Sequence, residues 1–489
     1  MTFDSIKQKV DNLLSNALES AAVFSQLDQK QTDKIVKAVY KAAFKNRVKL
    51  AKMAAEETGL GKWEDKVIKN VVGSHFVHED IKDQKTVGII SDNKETGIME
   101  VAQPLGPILA IIPVTNPTST TIFKILIALK SRNPVIISPH QKAIGCIAET
   151  ARICYEAALK EDAPENCIQW TLEEAYDHAT FDIKKHFAET TAIMTHRDLA
   201  VIVATGGGGV VKAAYTSGTP AYGVGSGNVP VFIDKSADIP FAVNQIFISK
   251  TFDNGTICAS EQAIIVEEVI GDKVKEEFEK HGGYFLNESE VNAVEAIALD
   301  KERNVMSADV VGQSAQKIAK MAGISVPEDV RILMAPLDSV GDEHPLSSEI
   351  LCPILAYYVK KDFSEAIATC MDLNYHGGMG HSASIHANDE SAIREFAKQM
   401  NAGRILVNSP SSQGAVDGIF NKLHTSLTLG CGTTGKNITT DNITVKHLIN
   451  IQRVARRRVD ERFSNFDASL FYDESLSTKE FEKKYNLNY

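Results

Sequence analysis

The sequence predicts an α/β protein with parallel sheets and more than one domain, and three observations support this. Short runs of consecutive apolar residues alternate with helical patterns, as where PILAII is followed by NPTSTTIFKILIALKSR and then PVIISP. Apolar strands without polar alternation are typical of a parallel sheet covered by helices on both faces. The pattern occurs in two sets, and 489 residues exceed one core, since a domain takes about 150 residues.

The elements follow in order along the chain. The first 80 residues predict helices, because apolar residues recur at helical spacing from Ile6 to Ala21 and again from Ile35 to Ala43. The first set of strands is predicted at 107–112, 134–139 and 199–205. The second set is predicted at 230–235, 263–269, 331–337, 354–360, 382–388 and 404–408. The Gly/Ser-rich segment 223–228, GVGSGN, separates the sets and predicts a domain boundary.

Composition and charge exclude several classes of protein. With 44% hydrophobic and 24% charged residues, the chain has the balance of a globular protein. A net charge of −11 and the lack of a basic block argue against nucleic acid as a partner. The most apolar stretch, from Pro104 to Leu129, is interrupted by prolines, so we expect buried core there and no membrane span.

The seven cysteines are odd in number, widely spread and without a C-x-x-C pair. Together with an N-terminus that lacks the apolar region of a secretory signal, this predicts a cytoplasmic protein. The sequence has no H-E-x-x-H, G-x-S-x-G or Walker A motif, and its histidines and cysteines lack zinc spacing. We therefore expect no metal site.

Cys258 is the sharpest candidate for chemistry. It lies in FDNGTICAS, just after a glycine turn and before an apolar strand, where a thiol can be exposed and reactive. A buried structural cysteine is the alternative, and spacing alone favours it. Cys431, between two glycines in LGCGTTGKN, has no base nearby in sequence and is interpreted as structural.

Asn116 directly follows the strand PILAII and precedes a predicted helix. Ligands of open α/β sheets gather at the carboxyl ends of strands, where a side-chain amide can donate to an oxyanion. A helix N-cap before Pro117 is the alternative, and it is favoured when the motif is taken alone.

Three further motifs allow a binding role. The run Thr205–Gly209, TGGGG, could bring backbone amides to a pyrophosphate, and an ordinary β–α turn is as good an interpretation. Glu349 could bond ribose hydroxyls, although a solvated acid at a strand start is commoner. His381 could titrate near neutrality beside its glycine cluster or be a structural histidine.

Taken together, these motifs resemble the CoA-acylating branch of the aldehyde dehydrogenase superfamily. The segments PVTNPT, SPH, ATGGGG, GVGSGN, FDNGTICASEQ, SEILCPILA, GGMGHSA, RILVNSPSSQG and LTLGCGTTGKN occur in family order from about residue 101 to about residue 453. The likeness is greatest to the N-terminal half of bifunctional aldehyde-alcohol dehydrogenases. It covers most of the chain.

The resemblance implies an aldehyde dehydrogenase-like fold with a Rossmann-like NAD(P) domain, a related α/β catalytic domain and a protruding pair of oligomerisation strands. A homodimer or a higher homo-oligomer is implied as well. The expected parts are an NAD(P) domain at 1–85 and 102–228, a catalytic domain at 229–430, strands at 86–101 and 441–456, and a C-terminal tail at 464–489. Segment 171–196 is longer than its equivalent in relatives.

The resemblance also assigns roles. Cys258 matches the nucleophile, Asn116 the amide that stabilises the oxyanion, and His381 a histidine of the acylating branch. Hydrolytic relatives carry a glutamate where this chain has GVGSGN, so no base is expected there to activate water. The implied reaction is reversible oxidation of a small aldehyde with coenzyme A (CoA) to an acyl-CoA, through a cysteine thioester.

For the cofactor, the resemblance implies NAD, with NADP possible because the neutral Gln141 replaces an acid of the hydrolytic relatives. The implied binding residues are Pro113, Ser138, His140, Thr205, Gly206, Gly208, Gly225 and Glu349. Three alternatives stay open: a hydrolytic dehydrogenase that releases a free acid, an acylating enzyme for an anionic aldehyde such as succinate semialdehyde or sulfoacetaldehyde, and a non-catalytic oligomeric scaffold. Gln262 suits either a neutral or an anionic aldehyde.

Overall fold

The computed structural model describes residues 3–171, 183–300, 305–416, 418–457 and 473–488. Residues 172–182 of the predicted long segment 171–196, and residues 464–472 and 489 of the predicted tail, lie outside this described part. The chain divides into two compact units. The larger comprises Met1–Thr86 and Pro104–Asn450, and the smaller comprises Val87–Gln103 and Ile451–Tyr489.

The helices and strands are numbered here in chain order. The α-helices are α1 (Phe3–Phe24), α2 (Gln29–Lys45), α3 (Arg47–Thr58), α4 (Trp63–Val71), α5 (Val77–Ile81), α6 (Pro117–Lys130), α7 (Ile144–Leu159), α8 (Ile183–Met194), α9 (Gly208–Thr216), α10 (Ile239–Thr251), α11 (Glu268–Lys280), α12 (Glu288–Ala298), α13 (Ala315–Met321), α14 (Phe363–Gly377), α15 (Glu390–Gln399), α16 (Ser411–Val416) and α17 (Thr478–Asn488). The strands are β1 (Gly88–Asn93), β2 (Ile98–Pro104), β3 (Ile108–Ile111), β4 (Val135–Ser138), β5 (Ile168–Trp170), β6 (Val201–Thr205), β7 (Ala221–Val224), β8 (Val229–Ile233), β9 (Glu261–Glu267), β10 (Gly283–Phe285), β11 (Leu299–Asp300), β12 (Val305–Met306), β13 (Ile332–Pro336), β14 (Ile354–Lys360), β15 (Gly380–His386), β16 (Ala402–Val407) and β17 (Ile449–Ala455).

The first parallel sheet has the strand order β5-β4-β3-β6-β7. Its side chains alternate between two buried clusters, one packed on α2, α3, α6 and α7 and the other on α1, α8 and α9. Ile108 and Ala110 of β3 face the first cluster, while Leu109 and Ile111 face the second. The chain reverses direction across the sheet between β3 and β6, which is where ligands of such sheets bind.

The second parallel sheet has the order β10-β13-β14-β9-β8-β15-β16. It is also covered on both faces, by α12 to α15 on one side and by α10 and α11 on the other. Phe232 of β8 faces the first group of helices and Val231 faces the second. These two sheets confirm the α/β class predicted from the runs of apolar residues.

The smaller unit contains the three-stranded sheet β1-β2-β17. β1 and β2 are antiparallel, and the third strand begins at Ile449, because residues 441–448 form a loop and a short 3-10 helix. Asp92 of β1 pairs with Arg456 at 2.8 Å, and Glu100 of β2 pairs with Arg453 at 3.2 Å. These pairs join the two segments of chain that form the unit.

Other differences from the sequence predictions are local. The strands β5, β7 and β10 were not predicted, because three or four residues are too few to show a periodicity. Glu268 and Val269, expected at the end of a strand, begin α11. Between the two parallel sheets, β7 ends at Val224 and β8 begins at Val229.

In the part of the chain that the structure describes, no helix combines the length and apolar character needed to cross a membrane.

Candidate active site

The loop before Cys258 has an unusual backbone. Asp253, Asn254 and Gly255 have φ angles of 48°, 52° and 73°, so three consecutive residues adopt the left-handed region. Non-glycine residues enter this region at a cost of about 1–2 kcal/mol each. The loop therefore needs specific contacts to hold it, and Cys258 follows in the turn that leads into β9.

A single buried carboxylate supplies those contacts. Asp253 accepts hydrogen bonds from the backbone N–H of Lys62 at 2.7 Å, from Nζ of Lys66 at 2.9 Å, from Nζ of Lys69 and from Oγ1 of Thr256 at 2.8 Å. Two of the donors, Lys66 and Lys69, belong to α4, and a third, Lys62, is the residue before it. The loop that carries Cys258 is thereby fixed to the N-terminal helices.

The charges in this cluster support one another. Burial alone would raise the pKa of Asp253, but the ammonium groups of Lys69 and Lys66 outweigh burial and hold the pKa below its ordinary value. Burial lowers the pKa of Lys69 to about 8, against the opposing effect of Asp253. Asp253 is therefore a carboxylate at neutral pH, and Lys69 is a cation only while that carboxylate is present.

Cys258 opens onto a small cavity, here called the cysteine cavity, of about 40 Å³. Asn116, Lys69 and Thr205 contribute its polar walls together with Gln413. The remaining lining residues are apolar: Ile68, Val72, Phe252, Ile257, Val416, Leu427 and Leu429. A cavity of this size accommodates only a few water-sized groups.

Asn116 lies at the N-terminus of α6, after β3, as the sequence predicted. It occupies the N-cap position, but its side chain makes no capping bond. Nδ2 donates to Oγ1 of Thr115 at 3.1 Å, and the buried Oδ1 has no partner among the described residues. Asn116 lines the cysteine cavity and its side chain does not cap α6, so helix capping does not account for this residue.

The thiol of Cys258 is protonated at neutral pH in the absence of ligands. Burial raises its pKa to about 12, and the nearby Glu349 acts in the same direction, while Arg404 acts against them. A thiol becomes a good nucleophile only as the thiolate. A ligand that brought positive charge near Cys258 would lower this pKa and favour the thiolate.

A second, larger cavity of about 480 Å³ adjoins the first at Thr205, which lines both. We call it the glycine-loop cavity, and its lining includes Pro113, Ser138, His140 and Gly206, four of the residues that the resemblance assigns to the cofactor. Gly207 and Gly209 line it as well, and an added Cβ at either would meet no atom within 4 Å. Gly208 begins α9 between them, so backbone amides at a helix N-terminus face open space. That is the geometry that accepts a pyrophosphate.

Gly225 and Glu349 are not among the lining residues of either cavity. Gly225 follows β7. Glu349 is partly buried, and its Oε1 accepts the backbone N–H of Gly227 at 2.8 Å. Burial raises the pKa of Glu349 to about 7. A carboxyl group from another part of the chain therefore reaches the GVGSGN segment, which the sequence alone did not show.

His381 is fully buried at the start of β15 and packs against the same segment. A Cβ on Gly227 would lie 3.0 Å from the His381 ring and 2.4 Å from the carbonyl oxygen of Cys258. Cys431 is buried too, and its Sγ contacts the carbonyl oxygen of Leu429. The structure thus brings His381 close to the loop that carries Cys258, but His381 does not line the cysteine cavity.

Sequence analysis missed several residues that shape the site. Lys69, Gln413 and Leu427 line the cysteine cavity, and Arg404 is buried beside His381. An arginine inside the apolar strand RILVN was an available signal, whereas nothing marked Lys69 within its helix.

Gln262 does not line the cysteine cavity. Its Oε1 instead accepts hydrogen bonds from Nζ of Lys250 at 3.1 Å and from the backbone N–H of Ile350 at 3.0 Å. Among the described residues, no group of three His, Cys, Asp or Glu side chains could hold a metal ion.

Replacing Asp253 with Asn should destabilise the protein. The change removes the ionic partner of Lys66 and Lys69 and leaves their buried amines unpaired, and breaking a buried ion pair costs about 3–5 kcal/mol. Urea unfolding of D253N should give a midpoint well below that of the exposed control Asp329→Asn. Equal midpoints for the two variants would contradict the anchoring role.

Alkylation of Cys258 by iodoacetamide should be slow at neutral pH in the ligand-free protein. Because burial raises the thiol pKa to about 12, the reactive fraction should rise about tenfold per pH unit from about pH 7 to about pH 10. Mass spectrometry of the modified peptide measures the rate, and Cys258→Ala identifies the signal. A rate that levels off below about pH 8 would show a thiolate already formed.

Comparison with known proteins finds relatives that match nearly the whole chain. The bifunctional aldehyde-alcohol dehydrogenase AdhE of Escherichia coli is 42% identical over 468 residues, which are 95% of this chain and 51% of that protein. This chain therefore spans about half the length of that relative. A solved acetylating aldehyde dehydrogenase from Geobacillus thermoglucosidasius has 46% identity and a TM-score of 0.88, covering 94% of this chain and 98% of that one.

A third comparison is a propionaldehyde dehydrogenase from Rhodopseudomonas palustris, solved with bound CoA and an acylated cysteine. It has 25% identity and a TM-score of 0.78, covering 91% of this chain and 97% of that one. Residues 3–422 of this chain match the aldehyde dehydrogenase family. Since that match covers most of its length, the chain belongs to the aldehyde dehydrogenase family.

Proposed function

We propose that this protein is a CoA-acylating aldehyde dehydrogenase that uses NAD(P). The observation that carries the proposal is the meeting of two cavities at Thr205, one containing Cys258 and Asn116 and the other lined by the glycine loop. A nucleophile and an oxyanion donor therefore lie next to a place where a dinucleotide fits. The similar structure with CoA and an acylated cysteine supports the same chemistry.

In the proposed first half-reaction, the thiolate of Cys258 attacks the aldehyde carbon. A C–S bond forms, and Nδ2 of Asn116 donates to the oxyanion that develops. If it is held by the residues that line the glycine-loop cavity, an oxidised nicotinamide would supply positive charge near the thiol and would serve as the hydride acceptor for the same carbon. Loss of hydride leaves an acyl group on Cys258 as a thioester.

In the second half-reaction, the CoA thiolate attacks the thioester carbon. The bond to Sγ of Cys258 breaks, the cysteine leaves as a thiolate, and the proton of the CoA thiol passes to solvent. Thiol–thioester exchange needs little help from the protein, because a thiol is partly ionised at neutral pH. Water needs a base, and segment 223–228 carries no carboxylate of its own.

One observation favours a second candidate, hydrolysis to a free acid. Glu349 reaches the GVGSGN segment, and its pKa of about 7 suits a general base. Its Oε1 is engaged by the N–H of Gly227, however, which reduces its availability to water. We therefore place this candidate second.

The proposed substrate is a small, neutral aldehyde. The cysteine cavity has a volume of about 40 Å³ and a mostly apolar lining. Its one cationic lining residue, Lys69, is paired with Asp253 and so offers little attraction to a carboxylate or sulfonate. An anionic aldehyde would have to be desolvated there without a free partner.

The proposed dinucleotide is NAD, with NADP accepted more weakly. No acid lines the glycine-loop cavity among the described residues, so a 2′-phosphate would not be repelled. Burial lowers the pKa of His140 to about 4, so this histidine is neutral and would not attract the phosphate either. Without a cation, burying a dianionic phosphate is costly.

The test of the proposed function is the dependence of NADH formation on CoA. With acetaldehyde and NAD, steady turnover should require CoA and should produce acetyl-CoA, which mass spectrometry identifies. We expect Cys258→Ala to lose at least about 10³-fold in kcat/KM, because a nucleophile is removed. Equally fast NADH formation without CoA, with release of free acid, would overturn the proposal in favour of hydrolysis.

We also propose that the protein is a cytoplasmic homo-oligomer. All seven cysteines are free thiols, as in a reducing compartment. In the smaller unit, β1 and β17 are the outer strands, and Ile89 and Val454 on them are exposed. Outer strands with exposed apolar side chains are typical places for chains to associate.

The oligomer should weaken when Ile89 is replaced by Lys. A charge on β1 opposes association of outer strands, so light scattering after gel filtration should show a smaller species than for the wild type. Val269→Lys, at an exposed position of α11, is a matched control that should leave the mass unchanged. A monomeric wild-type protein, or an I89K variant of unchanged mass, would contradict the proposed role of these strands.

A further inference from the structure

Gln413 is a polar residue of the cysteine cavity that takes no part in either proposed half-reaction. It lies in α16 and lines this cavity together with Cys258 and Asn116. The other five residues of α16 are buried, whereas Gln413 is only partly buried. Gln413 is therefore the polar residue of α16 that a molecule in the cavity can contact.

One end of the Gln413 amide is held by a hydroxyl group. Oγ of Ser412 donates to Oε1 of Gln413 at 2.5 Å. Ser412 is itself held by Ser249 of α10, whose Oγ donates to Oγ of Ser412 at 2.8 Å and accepts from the backbone N–H of Ser412 at 2.9 Å. Both serines are completely buried. The other end of the amide, Nε2, has no partner in the described part of the chain.

The position of α16 relative to Cys258 is fixed from strand β9. Glu261 is the first residue of β9, three residues after Cys258. Its Oε1 accepts from the backbone N–H of Ser411, the first residue of α16, at 2.9 Å. Glu261 and Ser411 are both completely buried. One carboxyl group thus joins the helix that carries Gln413 to the strand that follows Cys258.

The other polar side chains of the cysteine cavity are already engaged. Nζ of Lys69 donates to the carboxylate of Asp253. Oγ1 of Thr205 lies 3.0 Å from Oγ1 of Thr428, close enough for a hydrogen bond between the two hydroxyl groups. The amide of Asn116 serves the aldehyde oxygen in the proposed reaction. The free end of the glutamine amide is thus left for a second polar group on the substrate.

A hydroxyl group suits this amide better than an alkyl chain does. Covering a polar group without giving it a hydrogen bond costs free energy, and the rest of the cavity lining is mostly apolar. A hydroxyl group can donate as well as accept, so it fits whether the nitrogen or the oxygen is the free end of the amide. Because the cavity measures only about 40 Å³, the hydroxyl group has to be close to the carbonyl carbon.

We propose that Gln413 is a specificity-determining residue whose free amide end bonds the hydroxyl group of a small 2-hydroxyaldehyde while Cys258 attacks its carbonyl carbon. Ser412 and Ser249 are positioning residues, because they act through the Gln413 amide. This inference rests on the proposed function and deepens it. It narrows the small neutral substrate to one with a hydroxyl group on the carbon next to the carbonyl, of which glycolaldehyde is the smallest.

Glycolaldehyde and propionaldehyde are matched probes, because they differ by a hydroxyl group in place of a methyl group of similar size. With NAD and CoA, the wild-type kcat/KM should be at least about fivefold higher for glycolaldehyde, as expected for one additional hydrogen bond. Both values are expressed per unhydrated, monomeric aldehyde, whose fraction ¹H NMR measures. A ratio of one or less in the wild type would overturn the proposal.

Gln413→Met removes the amide and keeps a side chain of similar length. The ratio of the two kcat/KM values should then fall to one or below, because the methyl group of propionaldehyde no longer covers a polar atom. Gln399→Met, at an exposed position of α15, is the matched control and should keep the wild-type ratio. A wild-type ratio in Gln413→Met would contradict the assigned role.

Ser412→Ala tests the positioning while Gln413 stays in place. The amide loses its fixed end, so kcat/KM for glycolaldehyde should fall more than kcat/KM for propionaldehyde, and the ratio should move toward one. A merely structural role of Ser412 would lower both values equally. An unchanged ratio in this variant would therefore refute the positioning by Ser412.

These outcomes are distinct from a failure of the proposed function. If wild-type oxidation of both aldehydes does not require CoA, the acylating reaction itself is wrong. If CoA is required but glycolaldehyde is not preferred, the acylating reaction stands and only the role of Gln413 is wrong.

Discussion

The position of Cys258 depends on one buried carboxylate. Asp253 lies in a left-handed loop that is costly for a non-glycine residue, and it is held there by donors from α4 and from the residue before that helix, 184 to 191 residues earlier in the chain. Two ammonium groups share this carboxylate, so each charge in the cluster is stable only while the others are present. Cys258, five residues further on, takes its place from this cluster and from β9, which begins at Glu261.

Two sheet edges then assemble the rest of the site. Pro113, Asn116 and Thr205 lie at the carboxyl ends of strands β3 and β6 in the first sheet. Gly227, Cys258, Glu349, His381 and Arg404 lie at or near the amino ends of strands in the second sheet. The larger unit therefore brings together the edge that we propose binds a dinucleotide and the edge that carries Cys258. Each edge supplies side chains that are distant in sequence, which is how a thiol, an amide and an imidazole come to share one region.

How much of this could be predicted depended on how local each signal was. Cys258, Asn116 and the glycine run stand out in short motifs next to apolar strands, and the two parallel sheets follow from the same runs. The pairing of Lys69 with Asp253 could not be predicted, because the residues are 184 positions apart and lysine on a helix is ordinarily solvated. Glu349 was ambiguous for a related reason: only the fold shows that the backbone N–H of Gly227, 122 residues away, donates a hydrogen bond to it.

The electrostatics of the site bear on how the acyl group would leave Cys258 in the proposed reaction. At rest its polar groups are largely neutral or paired: the Cys258 thiol is protonated, His381 is uncharged, and Lys69 is offset by Asp253. Such surroundings do little to ionise water, which is a far weaker acid than a thiol, whereas a free thiol needs almost no assistance at neutral pH. Glu349 is the group on which this balance depends. One of its oxygens accepts from the N–H of Gly227, and in the proposed reaction hydrolysis would need a water held by this carboxyl group, whereas CoA would attack the thioester directly.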